Sequence, residues 1–108
     1  MQEPTFLILS VLAAGPQHGY ALMREVGVAS EGRVELRPGS LYATLARLVD
    51  EGMVEVDREE VVDARLRRYH RITGSGATAL ADEVERLRHN ASVAVRNLKL
   101  GGLGGVGA

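Results

Sequence analysis

The chain has 108 residues, enough for one domain with a single modest hydrophobic core. It contains no cysteine, which excludes disulfides and thiolate metal sites and favours the cytoplasm. The formal net charge of −1 argues against a broadly basic coat for nucleic acid, yet the charges are uneven. Residues 55–63 carry five acids and one arginine, whereas residues 65–71 carry four arginines and no acid. This pattern fits either a local phosphate-binding patch or a solvated strand with cross-strand acid–base pairs.

The first forty residues predict two helices and a short strand. Proline near the start and Gly15-Pro16 after the end predict a first helix over residues 4–14. This helix is apolar nearly all round, so it needs cover on several sides, for example from a second subunit. It is also too short to span a bilayer and lacks the features of a signal peptide, so we expect no membrane association. A second helix is predicted over residues 20–28, with Leu22, Met23 and Val26 in the core. The alternation in residues 34–36 favours a short strand.

Residues 38–51 predict the helix around which the chain is organised. Pro38 fits a first helical turn, and Gly52 fits a helix C-terminus. One face is an apolar stripe of Leu41, Leu45, Leu48 and Val49. The second face is small, polar and cationic, and it consists of Ser40, Thr44 and Arg47 with Ala43 beside them. A helix that is anchored on one side and able to approach a partner closely on the other is suited to reading DNA.

The rest of the chain predicts a hairpin and a long helix. Residues 53–57 alternate clearly between apolar and polar, residues 66–72 alternate more weakly, and a fairly long tip over about 59–65 joins them. Thr73 or Ser75 then caps a helix with a heptad seam. The seam consists of Ala77, Leu80, Val84, Leu87, Ala91, Ala94 and Leu98. The glycine-rich residues 101–108 predict a flexible tail.

This order of elements predicts an α+β, mainly α fold, a winged helix-turn-helix with a C-terminal dimerisation helix. The predicted units are a DNA-binding domain over residues 1–73, the dimerisation helix over 74–100 and the tail over 101–108. In this fold the third helix enters the major groove, and the hairpin, or wing, lies along the DNA backbone. The two half-sites of the operator are then about one helical turn apart.

Several short motifs strengthen this interpretation. The chain has GPQHGY at residues 15–20, PGSLY at 38–42, and an arginine-rich strand that runs into YHRITGSG at 69–76. In this order they resemble the signatures of the PadR family of bacterial transcriptional regulators, and the resemblance covers about residues 5–98. It implies a ligand-responsive homodimeric repressor of the smaller subgroup, which has a single C-terminal helix. That helix would pack against its own copy and the partner's first helix.

The resemblance also directs the choice of site residues. The predicted DNA-binding set is Tyr20, Ser40, Tyr42, Ala43, Thr44, Arg47, Arg65, Arg67 and Arg68. For Tyr20 and Tyr42, two roles stay open, a contact with phosphate or packing within the protein. His18 is expected to be structural. Only one or two wing arginines can face DNA, because side chains alternate along a strand. The predicted dimer interface is Phe6, Leu9, Leu80, Val84, Leu87, Ala91 and Leu98. The expected partners are a palindromic operator in double-stranded DNA, a second copy of the chain, and a small hydrophobic or aromatic effector near the dimer interface.

Two features depart from the family, and one other class of function stays open. The wing tip at residues 61–64 lacks the glycines often found there, and the chain has no tryptophan, so the Trp-lined drug site of some small members does not carry over. No phosphate-binding loop, nucleophile elbow or metal-type histidine spacing is present, so we expect neither an enzyme nor a cofactor. The alternative function is a dimeric winged-helix module that binds protein instead of DNA.

Overall fold

Four helices and a three-stranded sheet make up the described part of the chain, residues 1–103 of a computed structural model. The elements in order are α1 (Glu3–Ala13), β1 (Gln17–His18), α2 (Gly19–Ala29), α3 (Pro38–Asp50), β2 (Val54–Val62), β3 (Arg65–Ile72) and α4 (Gly74–Leu100). The α+β, mainly helical winged-helix fold predicted from the sequence is therefore confirmed. Residues 101–103 of the predicted tail form backbone hydrogen bonds with the last turn of α4. Residues 104–108 of the tail lie outside the described residues.

The core forms where the first three helices meet the start of the sheet. Its fully buried members come from the apolar face of each helix and from the first residue of β2, and they are Ile8, Leu9, Leu12, Leu22, Val26, Leu41, Leu45, Leu48 and Val54. These positions follow helical spacing, because residues three or four apart share one face of a helix. In α2 the core positions are Ala21, Leu22 and Val26, whereas Met23 is only half-buried. Val49, predicted for the apolar stripe of α3, remains 39% exposed.

The short strand predicted at residues 34–36 does not form. The Ser30 hydroxyl accepts a hydrogen bond from the Val34 backbone N–H at 3.0 Å and donates one to the Val34 carbonyl at 3.3 Å. Both backbone groups of Val34 are therefore already satisfied by a side chain. The third strand is β1 instead, which pairs antiparallel with β3 through Gln17↔His70 and His18↔Tyr69, and the strand order is β1-β3-β2.

The long wing tip predicted over residues 59–65 is also wrong. The strands continue to Val62 and Arg65, and only Asp63 and Ala64 lie between them. Their φ values of 50° and 62° match a type I′ turn, whose twist fits an antiparallel pair. Nearer the core, an extra residue in β2, Asp57, interrupts the register between Val56 and Arg58. Such a bulge bends a strand and increases its twist.

The final helix extends well beyond the core. Its N-cap is Thr73, whose hydroxyl oxygen accepts a hydrogen bond from the backbone N–H of Gly76 at 3.0 Å, so of the two predicted caps the structure uses the first. From Glu85 to its end, every α4 residue except Val93 and Leu98 is exposed. The projecting helix contributes to a longest dimension of 60 Å. Among the described residues, no helix is both long and apolar enough to cross a membrane.

Candidate nucleic-acid interface

An open cleft of about 950 Å³ separates α3 from the wing. The α3 side is formed by Tyr42, Ala46, Val49 and Asp50, and the wing side by Val56, His70 and the residues of β3 from Arg65 to Arg68. The start of α2 closes one end with His18, Gly19 and Tyr20. The fold therefore brings together three of the predicted site segments: the first residues of α2, one side of α3, and the arginine-rich strand.

The exposed surface of α3 near the cleft combines one large side chain with two small ones. Tyr42 is 54% exposed, and Ala43 and Ala46 are exposed nearby. Ala46 and Asp50 also line the cleft but were not among the predicted site residues, since these follow Ser40 at helical spacing on a different face. A helical wheel centred on the buried leucines identifies this third face.

Ser40 and Thr44 differ in their exposure, Ser40 being exposed and Thr44 half-buried. The Ser40 hydroxyl donates to the carbonyl of Arg37 at 3.1 Å and accepts from the Arg37 N–H at 3.4 Å, so it stabilises the first turn of α3. Ser40 therefore keeps an exposed surface although its hydroxyl is hydrogen-bonded within the chain, and the role of both residues in DNA binding stays a prediction.

Arg47 lies on the side of α3 that faces α1. Its guanidinium group donates to a carboxylate oxygen of Glu51 at 2.9 Å and to the hydroxyl of the buried Thr5 at 2.8 Å. Arg47 thus ties α3 to the first helix, and the rest of its guanidinium group stays available because the side chain is about half exposed. Its role in DNA binding stays a prediction.

The inner wing is electrically balanced. Arg71 lies 2.7 Å from Glu55, its register partner on β2, and Arg68 lies 3.0 Å from Glu59 in the same way. Arg58 pairs with Asp57 and Glu60 on its own strand, at 2.9 Å in both cases. The predicted cross-strand acid–base pairs are therefore present.

Two arginines that line the cleft, and one at the start of α3, form no ion pair in the described part of the chain. Arg65 and Arg67 have no carboxylate within 4.0 Å in the described part of the chain, and the same holds for Arg37 at the start of α3. Arg37 was missed because it precedes the helix instead of lying on one of its faces. Its position directly before Pro38, at the N-cap of α3, is the signal that would have found it. Arg65 and Arg67 thus place positive charge on the wing side of the cleft, and Arg37 places it at the start of α3.

The GPQHGY turn fixes the α2 end of the cleft. The Nδ1 atom of His18 accepts a hydrogen bond from the backbone N–H of Ala21 at 3.4 Å and so caps α2. The ring of Tyr42 lies against Gly19, where an added Cβ would be only 2.6 Å from the phenol oxygen. Tyr20 is 72% exposed. Tyr42 therefore both packs on this turn and keeps an exposed edge, while Tyr20 projects into solvent.

Two histidines near the cleft are held in the neutral form. Burial lowers the pKa of His18, and Arg67 and Arg24 lower it further. Burial also lowers the pKa of His70, with a further contribution from Arg68. The positive charge at the cleft thus comes from arginine. Within residues 1–103, no group of three or more His, Asp or Glu side chains could hold a metal ion.

The predicted dimer residues fall into two groups. Phe6, Leu80, Val84 and Leu98 are half-buried, Leu87 is 42% exposed, and Ala91 is exposed, so each has surface to offer a partner. Leu9 is fully buried in the protomer's own core, so its side chain has none. Leu7 and Val11 are the half-buried neighbours of Phe6 on α1.

The helical core, the hairpin and the cleft between them define a winged helix-turn-helix protein. The model of the transcriptional regulator PadR-like family matches residues 8–82, and the chain belongs to this family. Its members are transcriptional regulators and not enzymes.

Individual relatives agree with this assignment. The chain is 38% identical over 76 residues to the transcriptional regulator Rv3488 of Mycobacterium tuberculosis, covering 70% of this chain and 67% of that protein. It is similar to a PadR family transcription regulator from Clostridium difficile, with a TM-score of 0.75, 20% identity and coverage of 90% and 99% of the two chains. It is also similar to Bacillus subtilis PadR in complex with operator DNA, with a TM-score of 0.69, 22% identity and coverage of 78% of this chain and 48% of that one.

Proposed function

We propose that this regulator is a homodimeric repressor that binds a palindromic operator in double-stranded DNA, and therefore acts in the cytoplasm. The observation that carries the proposal is the placement of Arg37, Arg65 and Arg67. These arginines lack carboxylate partners in the described structure and lie beside α3 and the wing, the two elements that contact DNA in this fold. Membership of the PadR-like family and the fold shared with an operator-bound relative support it.

In the proposed complex α3 enters the major groove. Ala43 and Ala46 are small, so the helix backbone can approach the base edges closely, and Tyr42 can contact phosphate at the rim of the groove. Arg37 contacts the backbone at the start of the helix. Ser40, Thr44 and Arg47 extend this surface on the side toward α1.

The wing supplies the second set of contacts. Arg65 and Arg67 bind phosphates, and Tyr20 contributes a hydroxyl from the neighbouring turn. Arg68 reaches DNA only by exchanging Glu59 for a phosphate, which makes it the weakest of the three wing contacts. Each arginine that neutralises a phosphate releases a counterion, so the affinity must fall steeply with salt.

In the proposed dimer, a second copy of the chain covers the apolar seam of α4. The uncovered residues of its seam (Leu80, Val84, Leu87, Ala91 and Leu98) pack on the partner's α4, and Phe6 from α1 adds to the same interface. An exposed apolar stripe with heptad spacing is the usual requirement for such a pairing. A small hydrophobic or aromatic effector binding near this interface would favour one dimer geometry and so change the spacing of the two α3 helices.

The proposal is tested by binding the DNA upstream of the protein's own gene at two salt concentrations. We compare the wild type with Arg67→Ala and Arg37→Ala, and with Arg96→Ala as a charge-matched control on the exposed face of α4 opposite its seam. Each cleft variant should weaken binding and reduce the log–log salt slope by about 1, whereas the control should change neither.

Two outcomes would contradict the proposal. Equal effects of all three substitutions would mean that the net charge matters and the cleft does not. An absence of binding at low salt, from protein shown to be dimeric, would favour the protein-binding winged-helix module.

A further inference from the structure

Three side chains link the wing to the start of α2. The guanidinium carbon of Arg58 lies 4.0 Å from the ring centroid of Tyr69. The His18 ring meets the Tyr69 ring edge-on, with centroids 5.3 Å apart and planes at 87°. These geometries match attractive cation–π and edge-to-face contacts. The wing and the helix-turn-helix are therefore joined by side chains as well as by the β1–β3 backbone pairs.

The link lies where the wing bends. Tyr69 is the register partner of Arg58, directly after the bulge at Asp57. A bulge leaves one residue without its ladder partner and makes the direction of the strand sensitive to local packing. A contact at this point therefore has the greatest leverage on the outer wing, where Arg65 and Arg67 are located.

His18 also makes a hydrogen bond within the helix-turn-helix. Its Nδ1 atom accepts the hydrogen bond from Ala21 at 3.4 Å, and its lowered pKa keeps that atom free to accept. The next residue, Gly19, packs against the ring of Tyr42 on α3. A continuous path of contacts thus runs from the wing through His18 to the helix proposed to read DNA.

We propose that His18 is a positioning residue whose ring holds Tyr69 and so sets the angle between the wing and α3. The inference rests on the proposed DNA binding, because this angle decides whether the wing arginines and α3 can reach the same operator half-site. A role limited to capping α2 is the competing explanation, and the two roles can be separated by substitution.

His18→Asn separates them. Asparagine places an acceptor close to the position of Nδ1 and is among the best N-cap residues, so the cap on Ala21 is kept while the ring contact is lost. Tyr69→Val removes the other ring and suits a strand, whereas Tyr69→Phe keeps the ring and serves as the conservative rescue.

The experiment measures the wing angle directly and without DNA. Because the chain has no cysteine, Val61→Cys on the outer wing and Val28→Cys on α2, both at exposed positions, take two spin labels selectively. Labelled protein diluted in excess unlabelled protein reports the distance within one protomer. Operator affinity is measured on the same variants without labels.

We expect His18→Asn and Tyr69→Val to broaden or shift the distance distribution and to weaken operator binding roughly two- to tenfold, the range one aromatic edge contact supports. Tyr69→Phe should match the wild type in both measurements. Wild-type distances and affinity in His18→Asn would overturn the inference and leave His18 as a helix cap. A wild type that binds no operator would overturn the proposed function instead, and the distances would still decide the role of His18.

Discussion

The Cα atom of Gly76 packs against the carbonyl oxygen of Met53, and this contact seats α4 on the start of the wing. A Cβ at position 76 would overlap that oxygen and lie 2.9 Å from a side-chain carbon of Ile72. Thr73 completes the junction, since its hydroxyl donates to the Gly52 carbonyl at 2.6 Å and its N–H donates to the Met53 carbonyl at 3.0 Å. In the YHRITGSG motif, the close approach of α4 to Met53 thus explains Gly76, and the two hydrogen bonds explain Thr73.

Gly76→Ala should destabilise the protein by about 1–3 kcal/mol, the usual cost of overpacking, because a backbone carbonyl cannot move aside as a side chain can. Gly74→Ala is the matched control, because it lies two residues earlier in the same helix and its added Cβ would meet no atom within 4 Å. Urea unfolding of both variants provides the measurement. Equal effects of the two substitutions would show that the contact with Met53 is not the cause.

Gly19→Ala should lower operator affinity with little effect on stability. The added Cβ would meet the exposed ring of Tyr42, which can rotate away, so the fold tolerates the change while α3 loses the position of its tyrosine. In a Tyr42→Ala background the same substitution has nothing to displace and should leave affinity unchanged. A double-mutant cycle measures this coupling. Additive effects would separate Gly19 from Tyr42.

Ala64→Gly should raise the free energy of unfolding by about 0.5–1 kcal/mol. Alanine at φ 62° carries the steric cost of the left-handed region, which glycine avoids, although glycine returns part of the gain through greater freedom in the unfolded chain. Ala46→Gly, at an exposed position inside α3, should lower stability by about 1 kcal/mol. Thermal unfolding of the two variants tests the turn, and a loss of stability in both would contradict its geometry.

Mild acid should destabilise the fold through two histidines. Burial, assisted by nearby arginines, holds the pKa of His18 and of His70 below the 6.5 typical of the unfolded chain. Below about pH 6.5 the unfolded state therefore binds more protons than the folded state, and stability falls as the pH is lowered from 7.5 to 5.5. His18→Asn should make this slope shallower when unfolding is measured at constant ionic strength. An unchanged slope would exclude His18 as a contributor.

The α3 helix and the position of the wing were predictable because both have local signals. Leu41, Leu45 and Leu48 recur at helical spacing between Pro38 and Gly52, and all three are buried. By contrast, β1 has only two residues and hence no periodicity, and it exists because β3 offers it a free edge. The wing is longer than predicted because its outer strands pair charged residues across the ladder, which hydrophobic alternation does not detect.

The candidate site was only partly predictable for a similar reason. The spacing of Arg47 placed it correctly on α3, but nothing local reveals that it meets Thr5, which lies 42 residues earlier. Likewise, the arginine-rich strand was evident from the sequence, but its ion pairs were not. Arg68 pairs with its register partner Glu59, whereas Arg67 lies opposite Glu60, which pairs with Arg58 instead. Register and the choice of side-chain partner are tertiary properties, which the local sequence does not reveal.

In the proposed dimer, the exposed outer part of α4 makes the stability of the protein depend on its concentration. Its backbone hydrogen bonds are complete within the helix, but isolated helices of this length are marginal in water. Because we propose that a second copy covers this part of α4, the ordered fraction of the helix depends on protein concentration through mass action. Dilution frays the end of the helix, and crowding many copies together restores it. A melting temperature for this protein therefore has meaning only when the number of molecules per litre is stated beside it.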